Sequence, residues 1–378
     1  MDDLAVRTYG RPTEVQSTAA PVSPTRSREV VPGHASDGGP MSVATQLGGR
    51  DGRSDGPGRG PFLRRGWRKH LRSLAVLSIV CAVRMDDSAV LAVQDANDRT
   101  GAAWRLSRRL VGGAQSGAWR LESDQGISAV LKLAATPDWT NQVLRADLAV
   151  ASVRSVGYPT PAWTTVGQTP TGVGYQVQEV VEGQVLDVIG VAEARELIKV
   201  LELQRDLDPD PDRCWSDFLA AEVTSGLPAL RAGAVAAGDA GQDLAAACDR
   251  LLDPLAGEIA WPRADMVHGD FRLANILFQH GTVAGVIDIE AIGSGTRVFD
   301  YATLLDHSRI DPGALELLVE TAVGIAGSGV LRACFAWVAL DLARFMAATT
   351  LPNAQEHLDN RVRELTGRVI AVDRLSGR

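Results

Sequence analysis

The chain has 378 residues, 45% of them apolar, which is ample for a full buried core. Its net charge of −8 argues against a nucleic-acid partner. Its four cysteines, Cys81, Cys214, Cys248 and Cys334, form no Cys-x-x-Cys pair, which argues against a zinc site or a disulfide framework.

The N-terminal stretch differs in character from the rest. Residues 1–84 carry 13 basic and 7 acidic side chains, a balance of +6, against 25 and 39, a balance of −14, for residues 85–378. Residues 1–62 are rich in Gly, Pro, Ser and Arg and show no periodic apolar face, so disorder is expected. A basic run, Arg64-Arg65-Gly66-Trp67-Arg68-Lys69, precedes the apolar run Leu74–Val83. At about ten residues that run is too short to span a membrane, and it lies far from where a signal peptide belongs. Residues 1–84 therefore read as a basic tail outside the fold, with Met85 a natural start for a compact protein. No stable membrane association is expected.

The next segment reads as strand, Gly-rich turn and strand, from Leu110 through Gly112-Gly113-Ala114-Gln115-Ser116-Gly117 to Leu121. Small residues such as Gly113 and Ser116 let backbone N–H groups approach phosphate oxygens. The turn does not continue into Lys-Ser/Thr, so it is no P-loop. A strand rather than a helix follows it, so it is no dinucleotide fingerprint either. The apolar strand Ala129-Val130-Leu131-Lys132-Leu133 carries one lysine, the pattern of a residue that pairs with nucleotide phosphates.

Helical spacing then predicts helices over Val191–Leu207 and near Asp243–Leu255, separated by an acidic loop with Asp206, Asp208, Asp210 and Asp212. Residues Leu315–Ile325 and Leu331–Met346 read as buried helices, and no segment reads as a membrane span.

Between these helices lies Val267-His268-Gly269-Asp270-Phe271-Arg272-Leu273-Ala274-Asn275, followed by Val286-Ile287-Asp288. The spacing predicts a hairpin, Ile276–Phe278 out and Val283–Ile287 back, which brings Asn275 and Asp288 side by side. Two oxygen donors there suit a hard cation. Asp270, Asn275 and Asp288 together are what magnesium-dependent phosphoryl transfer needs: one carboxylate for the hydroxyl, two oxygens for the metal on the phosphates.

These blocks resemble the catalytic core of the aminoglycoside phosphotransferase family, small-molecule kinases built on the protein-kinase fold. The resemblance rests on His268, Gly269, Asp270 and Asn275, on Ile287-Asp288-Ile289-Glu290, and on Phe299-Asp300-Tyr301-Ala302. It implies an α+β, bilobal, protein-kinase-like fold, with a small β-rich N-lobe over 85–183 and a mainly helical C-lobe over 184–378. It further implies ATP and Mg2+ in the cleft, Asp270 as the base, and Lys132 on the phosphates. Asn275 and Asp288 would be the metal ligands. His268 would brace the loop and Asp300 would tie down its backbone. Arg272 lies where a phosphoryl-contacting cation is expected.

In this family pattern the lysine's partner is a Glu on the next helix, here within Asn141–Val156. No Glu occurs there, and Asp147 is the nearest acid. The turn Gly157-Tyr158-Pro159-Thr160-Pro161 leads to Gln176–Gly183, which resembles the hinge that holds adenine near Glu179 and Val181. Only eleven residues separate Asp288 from Asp300, too few for a protein-kinase activation segment.

The implied reaction moves a phosphoryl group from ATP to a hydroxyl of a small molecule in the cytoplasm. An aminoglycoside or cationic peptide antibiotic is the leading acceptor, giving resistance. A metabolic kinase of a choline, amino-acid or sugar-like acceptor is the alternative, and a nucleotide-binding pseudokinase the second.

Overall fold

The computed structural model describes residues 80–110, 117–134, 136–253, 259–350 and 354–377, all in one compact unit. The tail expected over 1–84 lies almost wholly outside them, as do Gly113 and Ser116.

Helix α1 (Val80–Thr100) opens the described chain and runs across Met85. Five strands follow in one antiparallel sheet: β1 (Arg105–Leu110), β2 (Ala118–Glu122), β3 (Ser128–Leu133), β4 (Trp163–Gln168) and β5 (Gly174–Glu179), in the order β1-β2-β3-β5-β4. Alternate residues face opposite sides of a strand. Trp119, Leu121, Leu131 and Val177 accordingly face one way and pack on Ala89, Ala92, Val93 and Ala96 of α1. Lys132, between Leu131 and Leu133, lies on the other side. Helix α2 (Pro137–Ser155) connects β3 to β4. Thr136 caps it, accepting the Trp139 N–H at 3.2 Å, and Pro137 fills its first turn.

The C-lobe begins with α3 (Val191–Glu202), which ends earlier than its apolar spacing predicts. Past it the buried Gln204 turns inward to Asp300, and Asp206 adopts a left-handed φ of 55°. Helices α4 (Trp215–Ala221), α5 (Leu227–Val235) and α6 (Asp239–Leu252) come next, then β6 (Asp265–Val267), the hairpin β7 (Ile276–Gln279) and β8 (Thr282–Val286), and β9 (Gly293–Gly295). The chain closes with α7 (Val298–Leu305), α8 (Pro312–Thr349) and α9 (Gln355–Ser376).

Helix α8 is two helical stretches joined at Gly327, whose φ of +82° breaks the helix. By length and composition α8 could cross a membrane, which the sequence reading did not anticipate, but 61% of its apolar window is buried inside the protein. It packs on α5, α6, α7 and α9 and is the central helix of the C-lobe core.

Candidate active site

Three local features build the site. The first is the pairing of β6 with β9, Val267 opposite Gly293, which sets the loop after β6 beside the segment before β9. The second is Gly269, whose φ of +88° is left-handed. A Cβ there would lie 2.4 Å from the Trp215 ring, so only glycine passes between Asp270 and the stacked Trp215–Phe299 pair. The third is the hairpin. His280 and Gly281 both have positive φ, the geometry of a two-residue primed turn, and Ile276 pairs with Val286. Ile287 N–H donates to Asn275 C=O at 2.9 Å, so Asn275 and Asp288 leave the hairpin together.

The loop is fastened from below. Asp300 is fully buried and accepts the N–H of His268 at 2.7 Å, the N–H of Gly269 at 3.0 Å and the Gln204 amide at 3.0 Å. Burial pushes its carboxyl up to about 6, and those donated hydrogen bonds only partly offset the rise. His268 Nδ1 accepts the Asp270 N–H at 3.2 Å, while Nε2 lies 3.0 Å from Ile287 C=O. The imidazole thus pins the Asp270 loop to the strand that leads to Asp288.

Asp270 is gripped on both oxygens, by Arg272 Nε at 2.7 Å and by Asn275 Nδ2 at 3.0 Å, yet its side chain stays 45% exposed. Arg272 was expected to face the transferring phosphoryl. Its guanidinium bridges Asp270 and the buried Asp306, the latter at 2.7 Å. Burial works against the Arg272 charge, but Asp306 and Asp270 overcome it and hold its pKa above the ordinary value.

Lys132 reaches down from the sheet. Its Nζ lies 2.8 Å from Asp288 Oδ1 and contacts Glu290 Oε1. Asp288 sits at a left-handed φ of 61°. Burial favours its neutral form, but the Lys132 ammonium outweighs that and holds its pKa below the usual carboxylate range. Asp147, the acid considered as partner for Lys132, is not in this pair. The partners are Asp288 and Glu290, two residues past it. The motif contained Glu290, but no spacing rule assigned it a role. Gln176, the register partner of Lys132 across β3 and β5, donates its amide to Glu290 at 2.5 Å.

At the expected hinge, the Glu179 carboxylate turns away from the cleft, accepting from Ala162 N–H at 3.0 Å and pairing with Arg154 at 2.9 Å. The Glu179 N–H in turn donates to Ala162 C=O at 2.9 Å. Val181 packs against Gly285 of β8, where a Cβ would lie 2.6 Å from the valine. Gln184 and Phe278 exchange backbone hydrogen bonds at 2.9 and 2.8 Å just beyond it, joining the hinge strand to the hairpin.

A model of the phosphotransferase enzyme family matches residues 107–334, a span from β1 into α8 that holds every residue just described. The chain belongs to the phosphotransferase enzyme family. It is an ATP-dependent phosphotransferase with an alcohol group as acceptor. No curated protein matches it. Among solved structures, it is similar to a thermostable mutant of aminoglycoside phosphotransferase APH(4)-Ia in a ternary complex with ADP and hygromycin B. The TM-score is 0.53 at 17% identity, covering 75% of this chain and 98% of that one. It is also similar to amicoumacin kinase hAmiN in complex with AMP-PNP, Ca2+ and Ami, with a TM-score of 0.50 at 11% identity, covering 75% and 95%. At such identities the likeness concerns the fold, which is the α+β, bilobal, protein-kinase-like one.

Among the described residues no cluster of three or more His, Cys, Asp or Glu is arranged to hold a metal ion. Asn275 and Asp288 nevertheless fit magnesium. This ion keeps several waters and takes one or two protein oxygens, with substrate phosphates completing its shell.

Proposed function

We propose that this phosphotransferase moves the γ-phosphoryl of Mg-ATP to a hydroxyl of a small-molecule antibiotic and so confers resistance, in the cytoplasm where ATP is available. The observation that carries the reading is the convergence of Asp270, Asn275, Asp288 and Lys132 on one cleft between sheet and hairpin. The resemblance to antibiotic kinases supports the class of acceptor.

Each residue has a role in this reading. Asp270 accepts the proton of the acceptor hydroxyl; it is the one acid of the loop that is both oriented and open. Asn275 and Asp288 hold magnesium, which neutralises charge on the transferring phosphoryl. Lys132 holds the phosphates. Backbone groups at Glu179 and Val181 hold the adenine. Arg272, shared between two carboxylates, fixes the orientation of Asp270.

The acceptor is proposed to be cationic, an aminoglycoside or basic peptide type, drawn by the acidic balance of residues 85–378. The test is a coupled ADP-release screen over aminoglycosides, cyclic peptide antibiotics, macrolides and hydroxylated metabolites, with drug susceptibility of a host expressing the chain. Turnover of one antibiotic class with matching protection is the expected result. Turnover of a choline-like, amino-acid or sugar acceptor alone would make it a metabolic kinase. ADP release with no acceptor, at any magnesium concentration, would defeat the proposal.

A further inference from the structure

Lys132 has no acid on α2 to meet it. That helix turns Gln142 and Arg145 toward the C-lobe instead. Gln142 donates to Glu290 C=O at 2.5 Å, and Arg145 donates to Ile292 C=O at 2.6 Å and pairs with Asp210.

The lysine's two carboxylates are not equivalent. The Asp288 side chain is 40% exposed toward the cleft, and its segment leaves the hairpin beside Asn275. The Glu290 side chain is 4% exposed and fixed twice more, through Gln176 on its carboxylate and Gln142 on its backbone. A lysine side chain 12% exposed must keep a charge partner, because an unpaired buried ammonium is costly. Asp288 has only its Oδ1 on the ammonium, whereas Glu290 holds the lysine without drawing on the carboxylate that a metal would need.

We propose that Glu290 is the positioning residue for Lys132: it holds the ammonium at the phosphate site and thereby leaves Asp288 for the metal, in place of an acid carried on α2. The inference rests on the phosphotransferase reading above. Its consequence is mechanical. Where the acid sits on a helix, moving that helix breaks the pair and switches the site off. Here lysine anchor and metal ligand belong to one three-residue segment, Asp288–Glu290, and α2 braces that segment through Gln142 on the Glu290 backbone instead of carrying the acid itself.

The test is a double-mutant cycle on the full chain, reading affinity for a fluorescent ADP analogue with Mg2+ and melting temperature without nucleotide. Variants are Lys132→Met, Glu290→Gln and the two combined. Because Glu290 acts through Lys132, each single change weakens nucleotide about tenfold or more, the scale of one charge-assisted contact, and the double change is no weaker than Lys132→Met alone. The combined variant removes both charges and so leaves no orphan. If Glu290→Gln alone does not fold, Glu290→Asp is read in its place. It keeps the charge on a shorter arm and is expected to bind more weakly than wild type and more tightly than Lys132→Met.

Nucleotide binding by Glu290→Gln (or Glu290→Asp) within twofold of wild type, with Lys132→Met impaired, overturns this inference and leaves the phosphotransferase reading standing. Effects that add in the double variant also overturn it. A wild-type chain that binds no Mg-ADP overturns the functional reading itself.

Discussion

Asp270 is gripped by Arg272 and Asn275 but open to the cleft, whereas Asp300 is fully buried beneath the same loop. The first arrangement suits a group that meets an acceptor hydroxyl. Asp270→Asn is expected to lower turnover of an accepted substrate by roughly two to four orders of magnitude, with nucleotide affinity within a few-fold. Steady-state kinetics and an ADP titration check it, and turnover near wild type removes Asp270 from the role. Asp300 gives a prediction about pH. Its carboxyl is pushed up to about 6 by burial, above its value in the unfolded chain. Such an acid contributes its full stabilisation below the unfolded pKa, ~3.9, and loses it as pH rises through about 6. The stability of wild type relative to Asp300→Asn should therefore fall between about pH 4 and pH 6 by on the order of 2–3 kcal/mol, then level off. Denaturant unfolding of both proteins across that range checks it; a difference that rises with pH contradicts it. Asp270, Asn275 and Asp288 were legible in the sequence because their spacing is fixed by one loop and one hairpin, and Asp300, on α7, through the Phe299-Asp300-Tyr301-Ala302 run that resembles the family's. Glu290 as a lysine partner was not, since its contact spans 158 positions and depends on sheet register.

Among the elements, the hairpin was legible because two apolar runs flank a turn; α2 was placed within Asn141–Val156 only through the family pattern, and it starts four residues earlier, at Pro137. Helix α1 went unread. Its buried positions are mostly alanines, Ala89, Ala92 and Ala96, which make a packing face without a hydrophobic stripe. The acidic loop after α3 contributes to the negative balance that, under the proposed function, draws a cationic acceptor. Asp210 pairs with Arg145, and Asp217 of α4 with Arg263, so part of that charge is spent within the fold. Glycines test the elements directly. Gly269→Ala puts a Cβ into the Trp215 ring at a left-handed φ, and should cost more than about 2 kcal/mol and most of the activity. Gly281→Ala, at a similar φ in the hairpin turn but with nothing within 4 Å, should cost only about 1 kcal/mol and leave turnover intact. Melting temperatures and kinetics of the pair decide it; equal costs would show that the loop tolerates a Cβ beside Trp215.

At the scale of the whole molecule, the described residues form two cores, a large one through the C-lobe helices and a small one between α1 and the sheet. The small core is the weaker design. Five strands bury one face only because α1 lies across it, with Asp95 accepting from the Tyr175 hydroxyl at 2.5 Å and Asn97 bonded both ways to Trp104, at 2.9 and 3.0 Å. Lys132 stands on that sheet, so under the proposed function nucleotide binding should depend on α1. Two truncations follow. A chain beginning at Met85 keeps every buried side chain described for α1, the first being Ala89, and should melt within a few degrees of the full chain and bind Mg-ADP as well. A chain beginning at Gly101 exposes Trp119, Leu121, Leu131 and Val177 together, an apolar patch that a soluble surface does not carry without a partner. It should lose nucleotide binding and aggregate, although the C-lobe core is untouched. Circular dichroism melts, light scattering and nucleotide titration of both chains separate the outcomes. If the Gly101 chain binds Mg-ADP like the full protein, α1 is dispensable to the sheet; if the Met85 chain fails as well, the boundary lies upstream of Met85.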